Sequence, residues 1–267
     1  RDATNLGRWR TQLDMLADPT IAKMGHAIFC NSGTQAATKT LAQTSLDNVR
    51  GELLWMQDGE TQPAVIAASH AAYRLQLEQV NPNRSYDNTV IKGVFGQTDA
   101  ATVPGYAACV AALDAGFTPV VSVNGLALIT RAVTTRSLTA TGAVDDGCVD
   151  VAESATADEV RDELASFWGT EFLGGNPYIQ DDPAEDATTQ PREGVAYPRL
   201  WTQEATAVLK RLESLNWITG VDTHPVESAL HPDVPRIVSY YPVIVLPKQH
   251  QLEGTVAQTR FKNNKAA

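Results

Sequence analysis

Apolar residues along the first half of the chain alternate between two rhythms. Leu6, Trp9, Leu13 and Leu16 fall at helical spacing, with Pro19 just beyond them as a stop. Ala27-Ile28-Phe29-Cys30 reads as a short buried strand, Asn31-Ser32-Gly33 as a turn, and Thr34–Leu46 as a helix. Val49–Met56 is a second strand. A helix over Gln62–Gln79 has Pro63 in its first turn and Ile66, His70, Tyr73 and Leu77 along one stripe, and Asn81-Pro82-Asn83 breaks it. Thr89–Phe95 is a third strand, and Gly105–Ala115 is a helix. Strand and helix alternating in this way predict an α/β fold, a mainly parallel sheet flanked by helices.

Gly116-Phe117-Thr118-Pro119 then turns the chain into Val120-Val121-Ser122-Val123. Asn124-Gly125 hands over to Leu126–Thr135, rich in Leu, Ile, Val and Thr. Both central residues of a type I′ turn need positive φ, which Asn-Gly tolerates, so this stretch predicts a β-hairpin. After Thr135 the rhythm changes. Ala155–Trp168 is an amphipathic helix: Thr156 and Glu159 are spaced as a capping box, and Val160, Leu164 and Phe167 form its stripe. Gly169–Pro198 has the composition of a long loop. Thr202–Asn216 is a second helix, with Ala205, Val208, Leu209, Leu212 and Leu215 on one side and Lys210, Arg211 and Glu213 on the other. Arg236–Leu246 and Leu252–Phe261 read as strands, and Lys262–Ala267 as a frayed tail. The second half is α+β. The change of pattern places a domain boundary inside the hairpin, giving an α/β domain over 1–124 and an α+β domain over 125–267.

Hydrophobic residues make up 43% of the chain and charged residues 19%, a globular balance. No apolar run approaches the roughly 20 residues of a spanning helix, so no membrane partner is expected. The net charge of −10 gathers mostly between Asp145 and Asp186, where Arg161 is the single base. Nucleic-acid binding needs clustered Lys and Arg and is not expected either. The acidic tract is a solvated face, or a surface for a basic protein partner. Cys30, Cys109 and Cys148 show no C-x-x-C spacing and predict reduced thiols, as in a cytoplasm.

Catalytic motifs are missing: nothing matches G-x-S-x-G, a phosphate-binding G-x-x-x-x-G-K-[ST], H-E-x-x-H or a calcium loop. His224, Glu227 and His231 would share a face on an unbroken helix and could offer N, O and N ligands, but Pro225 and Pro232 bracket them and favour exposed loop histidines. Ser32, His70 and Asp99 could supply a hydrolytic triad at the strand ends of an α/β sheet. Against that, Asn31-Ser32-Gly33-Thr34 is an ordinary turn and helix cap, and His70 fits a packed helix position. No catalytic residue, cofactor or metal is expected.

As a string, Gly116–Thr135 resembles a segment of contractile-tail sheath proteins from phages and phage-like injection machines. In that family a helix ends in Gly-[Val/Ile]-Thr-Pro, and the hairpin that follows closes on Arg-Ala-[Ile/Val]-Thr-Thr, here Arg131-Ala132-Val133-Thr134-Thr135. Further matches come in order: Gly25-His26-Ala27-Ile28-Phe29, the Ala-rich helix Ala64–Leu77, Asn88–Val94, Val195-Ala196-Tyr197-Pro198 ahead of the Thr202–Asn216 helix, Leu215-Asn216-Trp217-Ile218, and the closing strands Arg236–Phe261. The order of short motifs carries the resemblance over nearly the whole chain. The family's basic Phe-Pro-[Arg] stretch has no counterpart; Phe167–Phe172 and the acidic 181–186 stand there instead, so contacts resting on it do not carry over.

The resemblance implies a structural subunit and not an enzyme. Six copies would form a ring, and rings would stack helically around an inner tail tube protein between baseplate and tail terminator. Contraction would drive the tube through a cell envelope. The location would be a virion tail assembled in the host bacterial cytoplasm. The first domain would be subtilisin-like without proteolysis, and the second a tube-facing sheath domain. The family's N-terminal arm and outer domains precede the point where Arg1 falls, so these residues alone should stay monomeric or weakly associated. Family arms add strands to neighbouring sheets. Here that role would fall to Leu252, Glu253, Gly254, Thr255, Val256, Ala257, Gln258, Thr259, Arg260 and Phe261, which could equally pair within their own subunit. Lys210, Arg211 and Glu213 are the candidate tube-facing residues. Two alternatives remain: a hydrolase on an α/β scaffold and an acidic protein-binding module.

Overall fold

The computed structural model describes residues 2–18, 23–138, 143, 149–171, 178–180, 195–230 and 237–245, with only the backbone of 171, 178 and 238. By its internal contacts the chain divides into a unit that reaches Ala155 and a unit from Thr156 to Leu246. That division lies well beyond the hairpin where the composition shifts.

Unit 1 opens with α1 (Ala3–Leu16), capped by Asp2, whose side chain accepts the Thr4 N–H at 2.9 Å. It continues through β1 (Ala27–Asn31), α2 (Gln35–Thr40), a π-helical turn (Leu41–Leu46) and β2 (Gly51–Trp55). Next come α3 (Pro63–Glu78), β3 (Thr89–Phe95), α4 (Tyr106–Asp114), β4 (Thr118–Val123) and β5 (Leu126–Ile129). The five strands form one sheet in the order β1-β2-β4-β5-β3. β1 and β2 pair in parallel, as do β2 and β4, while β4–β5 and β5–β3 are antiparallel. β3 therefore runs the same way as β1, β2 and β4, and β5 alone runs against them. The sheet is mainly parallel, as expected. Asn124 and Gly125 take φ of 53° and 78°, the positive values the hairpin turn requires.

Alternation along each strand sorts the sheet into two faces. On one, Cys30, Leu54, Val120, Ala127, Ile129, Ile91 and Val94 pack with Ile66 and Ala67 of α3. On the other, Phe29, Leu53 and Trp55 pack with Leu41, Ala42 and Leu46 of the helical stretch, Ala112 of α4, and Phe117. Trp55 meets Phe117 edge-on at 5.7 Å and donates its indole N–H to Gly33 O at 2.9 Å.

The expected long strand Leu126–Thr135 ends at Ile129 instead, because the backbone beyond it bonds elsewhere. Thr134 donates to Val149 O and Thr135 to Gly51 O. The helix over Thr34–Leu46 likewise changes at Leu41 from α to π geometry.

Gly116 closes α4 in a Schellman turn: its N–H reaches Leu113 O at 3.0 Å, and the Phe117 N–H reaches Ala112 O at 3.1 Å. Its φ is 76°, and a Cβ there would stand 3.0 Å from Thr135 O. Gly116→Ala should therefore cost roughly 2 kcal/mol, read as a lower midpoint in urea unfolding.

Unit 2 is built on α5 and α6. α5 (Val151–Glu171) is longer than its apolar stripe suggested and starts earlier: Asp150 Oδ1 accepts the Ala152 N–H at 2.8 Å. Thr156 is thus a buried mid-helix residue and not a cap. Its last turn takes in Gly169–Glu171, residues expected in the loop. From that loop, β6 (Tyr178–Ile179) and β7 (Val195–Ala196) pair in parallel. α6 (Pro198–Ser214) carries Pro198 in its first turn. β8 (Ile218–Thr219) pairs with β11 (Ile244–Val245), and β9 (Glu227–Leu230) with β10 (Ile237–Tyr240), both antiparallel. Val160, Leu164 and Trp168 of α5 form the unit's core with Ala205, Val208, Leu209 and Leu212 of α6, and Ile218, Val221 and Val226 join them. The Trp168 and Trp201 rings stack at 3.8 Å, inclined by 12°.

Candidate functional site

The hydrolytic triad does not form. Ser32 sits at the bend after β1, where its carbonyl accepts the Asp58 N–H, and Asp99 caps a turn by accepting from Ala101 at 2.9 Å. His70, on α3, bonds neither of them. Its Nε2 lies 3.1 and 3.2 Å from the two carboxylate oxygens of Glu52 on β2.

That contact belongs to a buried charge cluster. Glu52 and His70 are each 1% exposed and Arg74 is 2% exposed. Arg74 Nη1 donates to Glu52 Oε2 at 3.2 Å and its Nε donates to Glu78 Oε1, which also accepts from the Tyr86 hydroxyl at 2.9 Å. The Arg74 guanidinium lies 5.8 Å from the centre of the Tyr86 ring. Burial alone would raise the Glu52 carboxyl, but the charges and hydrogen bonds of His70 and Arg74 outweigh it and hold Glu52 below its ordinary 4.5. Burial, with the Glu78 charge, pushes the Tyr86 hydroxyl far above its ordinary 10.0, so it stays protonated and donates. Sealed from solvent and holding no nucleophile, the cluster fastens α3 and the turn before β3 to the middle of the sheet.

Thr118 extends the lock. Its hydroxyl oxygen accepts the Val133 N–H at 3.0 Å and lies 3.4 Å from Glu52 Oε1. Thr135 Oγ1 accepts the Asn48 N–H at 3.0 Å and donates to Asn48 O at 3.1 Å. Ala132, Val133, Thr134 and Thr135 are all buried. The string Gly116–Thr135 is therefore a set of internal staples: a helix stop, a type I′ hairpin and two threonines that bind backbone.

The metal candidate also dissolves. Glu227 opens strand β9, while His224 lies in a turn with Nδ1 against Thr223 Oγ1 at 2.9 Å, so no common helix face exists; His231 lies outside the described residues. Among the described residues, no group of three His, Cys, Asp or Glu could hold a metal ion.

Lys210, Arg211 and Glu213 do stand on the outer side of α6. Lys210 pairs with Asp222 at 2.8 Å, and that hydrogen bond and charge raise its ammonium above the ordinary value. Arg211 pairs with Glu163 of α5, and Glu213 Oε1 accepts the Val221 N–H at 3.3 Å. Exposed pairs of this kind exchange partners at little cost. Strand Leu252–Phe261 lies outside the described residues. In unit 2 an apolar groove of about 380 Å³ runs beside α5, lined by Val160, Leu164, Trp168, Tyr241, Val243 and Val245.

No family model and no curated protein matches the sequence. Solved structures do match the fold. The sheath tail protein of Desulfitobacterium hafniense aligns over 92% of this chain at 14% identity with a TM-score of 0.59. The sheath tail protein of Listeria innocua aligns over 93% at 14% identity with a TM-score of 0.63. This is the fold of a sheath tail protein. The contracted sheath complex of an extracellular contractile injection system shares it over 93% of this chain at 13% identity, with a TM-score of 0.58. The chain spans 54% and 52% of the first two proteins and 69% of the third.

Within this sheath-tail fold, the feature missed in sequence is the acid–base core of unit 1. Its signal was present: Glu52 directly precedes the apolar run Leu53-Leu54-Trp55, and Arg74 follows His70 at four residues on the stripe of Ile66.

Proposed function

We propose that the chain is part of a structural, non-enzymatic subunit of a contractile tail sheath. Its copies form stacked hexameric rings around an inner tail tube between baseplate and terminator, and the array contracts to drive the tube through a cell envelope. The observation that carries this reading is the shared fold over nearly the whole chain with separate sheath proteins. In this reading the first unit, up to Ala155, corresponds to the subtilisin-like part, and the second faces the tube in a virion tail or injection particle assembled in a bacterial cytoplasm.

Lys210, Arg211 and Glu213 supply the tube contact, and the ion pairs that now hold Lys210 and Arg211 lie at the surface and are replaceable. Leu252–Phe261 adds a strand to a neighbour's sheet. Backbone pairing of that kind tolerates rotation of the bodies it joins.

Electron microscopy of the full-length protein with its tube protein should show striated tubes. Removing residues 252–261 should leave folded, unlinked subunits in sedimentation. Hollow tubes that form as readily without that segment would remove it from the assembly role, and dispersed particles from the intact protein would end the sheath reading.

A further inference from the structure

Among the described residues, the sheet of unit 1 is covered unequally. α3 packs across one face from β1 to β3, whereas the opposite face is covered mainly over β1 and β2, where Phe29, Leu53 and Trp55 meet the α2–π-turn stretch and α4. Beyond that cover, the same face carries two cross-strand rows of apolar side chains. Val90, Leu128 and Val121 form one row, and Phe95, Leu126 and Val123 the other. Directly opposed residues share a face, so each row is continuous across three strands. None of the six belongs to either core cluster of the unit. The first row is half-buried. In the second, Phe95 is 66% exposed, Leu126 47% and Val123 46%.

The adjoining sheet edge is guarded while the face is not. β3 is the outermost strand, yet its ladder with β5 is interrupted between Val90 and Phe95. At that break Gly93 takes a φ of 76° and Lys92 is exposed. A break in register and an outward lysine both discourage strand addition. What this corner offers to a neighbour is therefore its side chains more than its strand edge.

The exposed row offers roughly 300 Å² of apolar surface. A partner that binds by itself needs about 800 Å² on each side. The row is too small to hold two free molecules together. It becomes effective where an identical contact repeats through an array whose subunits are already linked, because each further contact then closes at high effective concentration. A second copy of this chain meets that condition.

We propose that Phe95, Leu126 and Val123 form a secondary docking face for another copy of this chain in the assembled sheath. The proposal rests on the sheath reading above. Its test is the full-length protein carrying Phe95→Thr, Val123→Thr and Leu126→Thr together, since threonine keeps the strand preference and removes most of the apolar surface. The free subunit should melt at the wild-type temperature, while the protein concentration needed for tubes should rise roughly tenfold. Tubes at the wild-type concentration would overturn the docking face alone. A lower melting temperature of the free subunit would also overturn it, because the row would then be covered within its own chain. A wild-type protein that forms no tubes overturns the sheath reading and the docking face with it.

Discussion

Glu52→Ala should lower the stability of unit 1 by about 3 kcal/mol, because it leaves Arg74 buried with one of its two carboxylates, Glu78, and takes away the Nε2 partner of His70. Arg74 is 2% exposed. Its Nη2 has no hydrogen-bond partner among the described residues, nor has His70 Nδ1, so Glu78 is left to hold the guanidinium by itself. Urea unfolding followed by far-UV circular dichroism measures the loss. Glu52→Gln separates the causes, since the amide keeps the volume and removes the charge. A Gln variant as unstable as the Ala variant identifies the charge as the active ingredient. A Gln variant at wild-type stability would mean that packing, and not the ion cluster, fixes α3 to the sheet.

The cluster also sets a pH window. The Glu52 carboxyl is held below 4.5, so its contribution is complete above that ordinary value and is lost as pH falls through the lower, folded value. The Tyr86 hydroxyl is displaced upward. The folded state keeps this proton after the unfolded chain gives it up, and stability declines once pH passes the ordinary 10.0. Stability from these two groups is therefore flat between those limits and falls on both sides. In Glu52→Gln the acid limb should flatten while the alkaline limb remains.

The fold was legible where period and punctuation agreed. Strand β3 has the bounds its pattern predicts, Thr89–Phe95, and α3 and α4 differ from expectation only at their ends, where Pro63 and Gly116 punctuate the chain. Type I′ chemistry at Asn124-Gly125 was sufficient for the hairpin turn. Tertiary bonds overrode pattern elsewhere. Leu126–Thr135 is rich in Leu, Ile, Val and Thr, yet Thr134 and Thr135 give their N–H groups to Val149 and Gly51, and the strand stops. The capping-box spacing of Thr156 and Glu159 was a coincidence inside a helix already begun at Val151. Glu52 was hidden for another reason. A carboxylate within a strand reads as an outward residue until its two partners His70 and Arg74, distant in sequence, are brought onto it by α3. Lys210, Arg211 and Glu213 could be placed on a helix face from spacing alone, but their partners Asp222, Glu163 and Val221 depend on how the helices pack.

Trp168→Ala should destabilise unit 2 by roughly 3–5 kcal/mol, the usual cost of removing a buried aromatic ring. Trp168 stacks on Trp201, meets Phe167 edge-on at 4.9 Å and lines the groove beside α5. Trp201 in turn donates its indole N–H to the Tyr241 hydroxyl at 3.0 Å, so one ring joins α5, α6 and the chain between β10 and β11. Loss of near-UV circular dichroism from the coupled indoles should accompany the fall in stability, because two rings at 3.8 Å interact as a pair and a lone ring does not. The effect should reach assembly as well. Arg211 is held against Glu163 across the same α5–α6 seam, so a loosened seam misplaces the charges proposed to face the tube. Arg211→Ala separates the two contributions: it should leave the stack and the melting temperature intact and weaken only tube binding. A Trp168→Ala protein that keeps its near-UV signal and still binds tube would show that the stack neither orders the seam nor positions the charges on it.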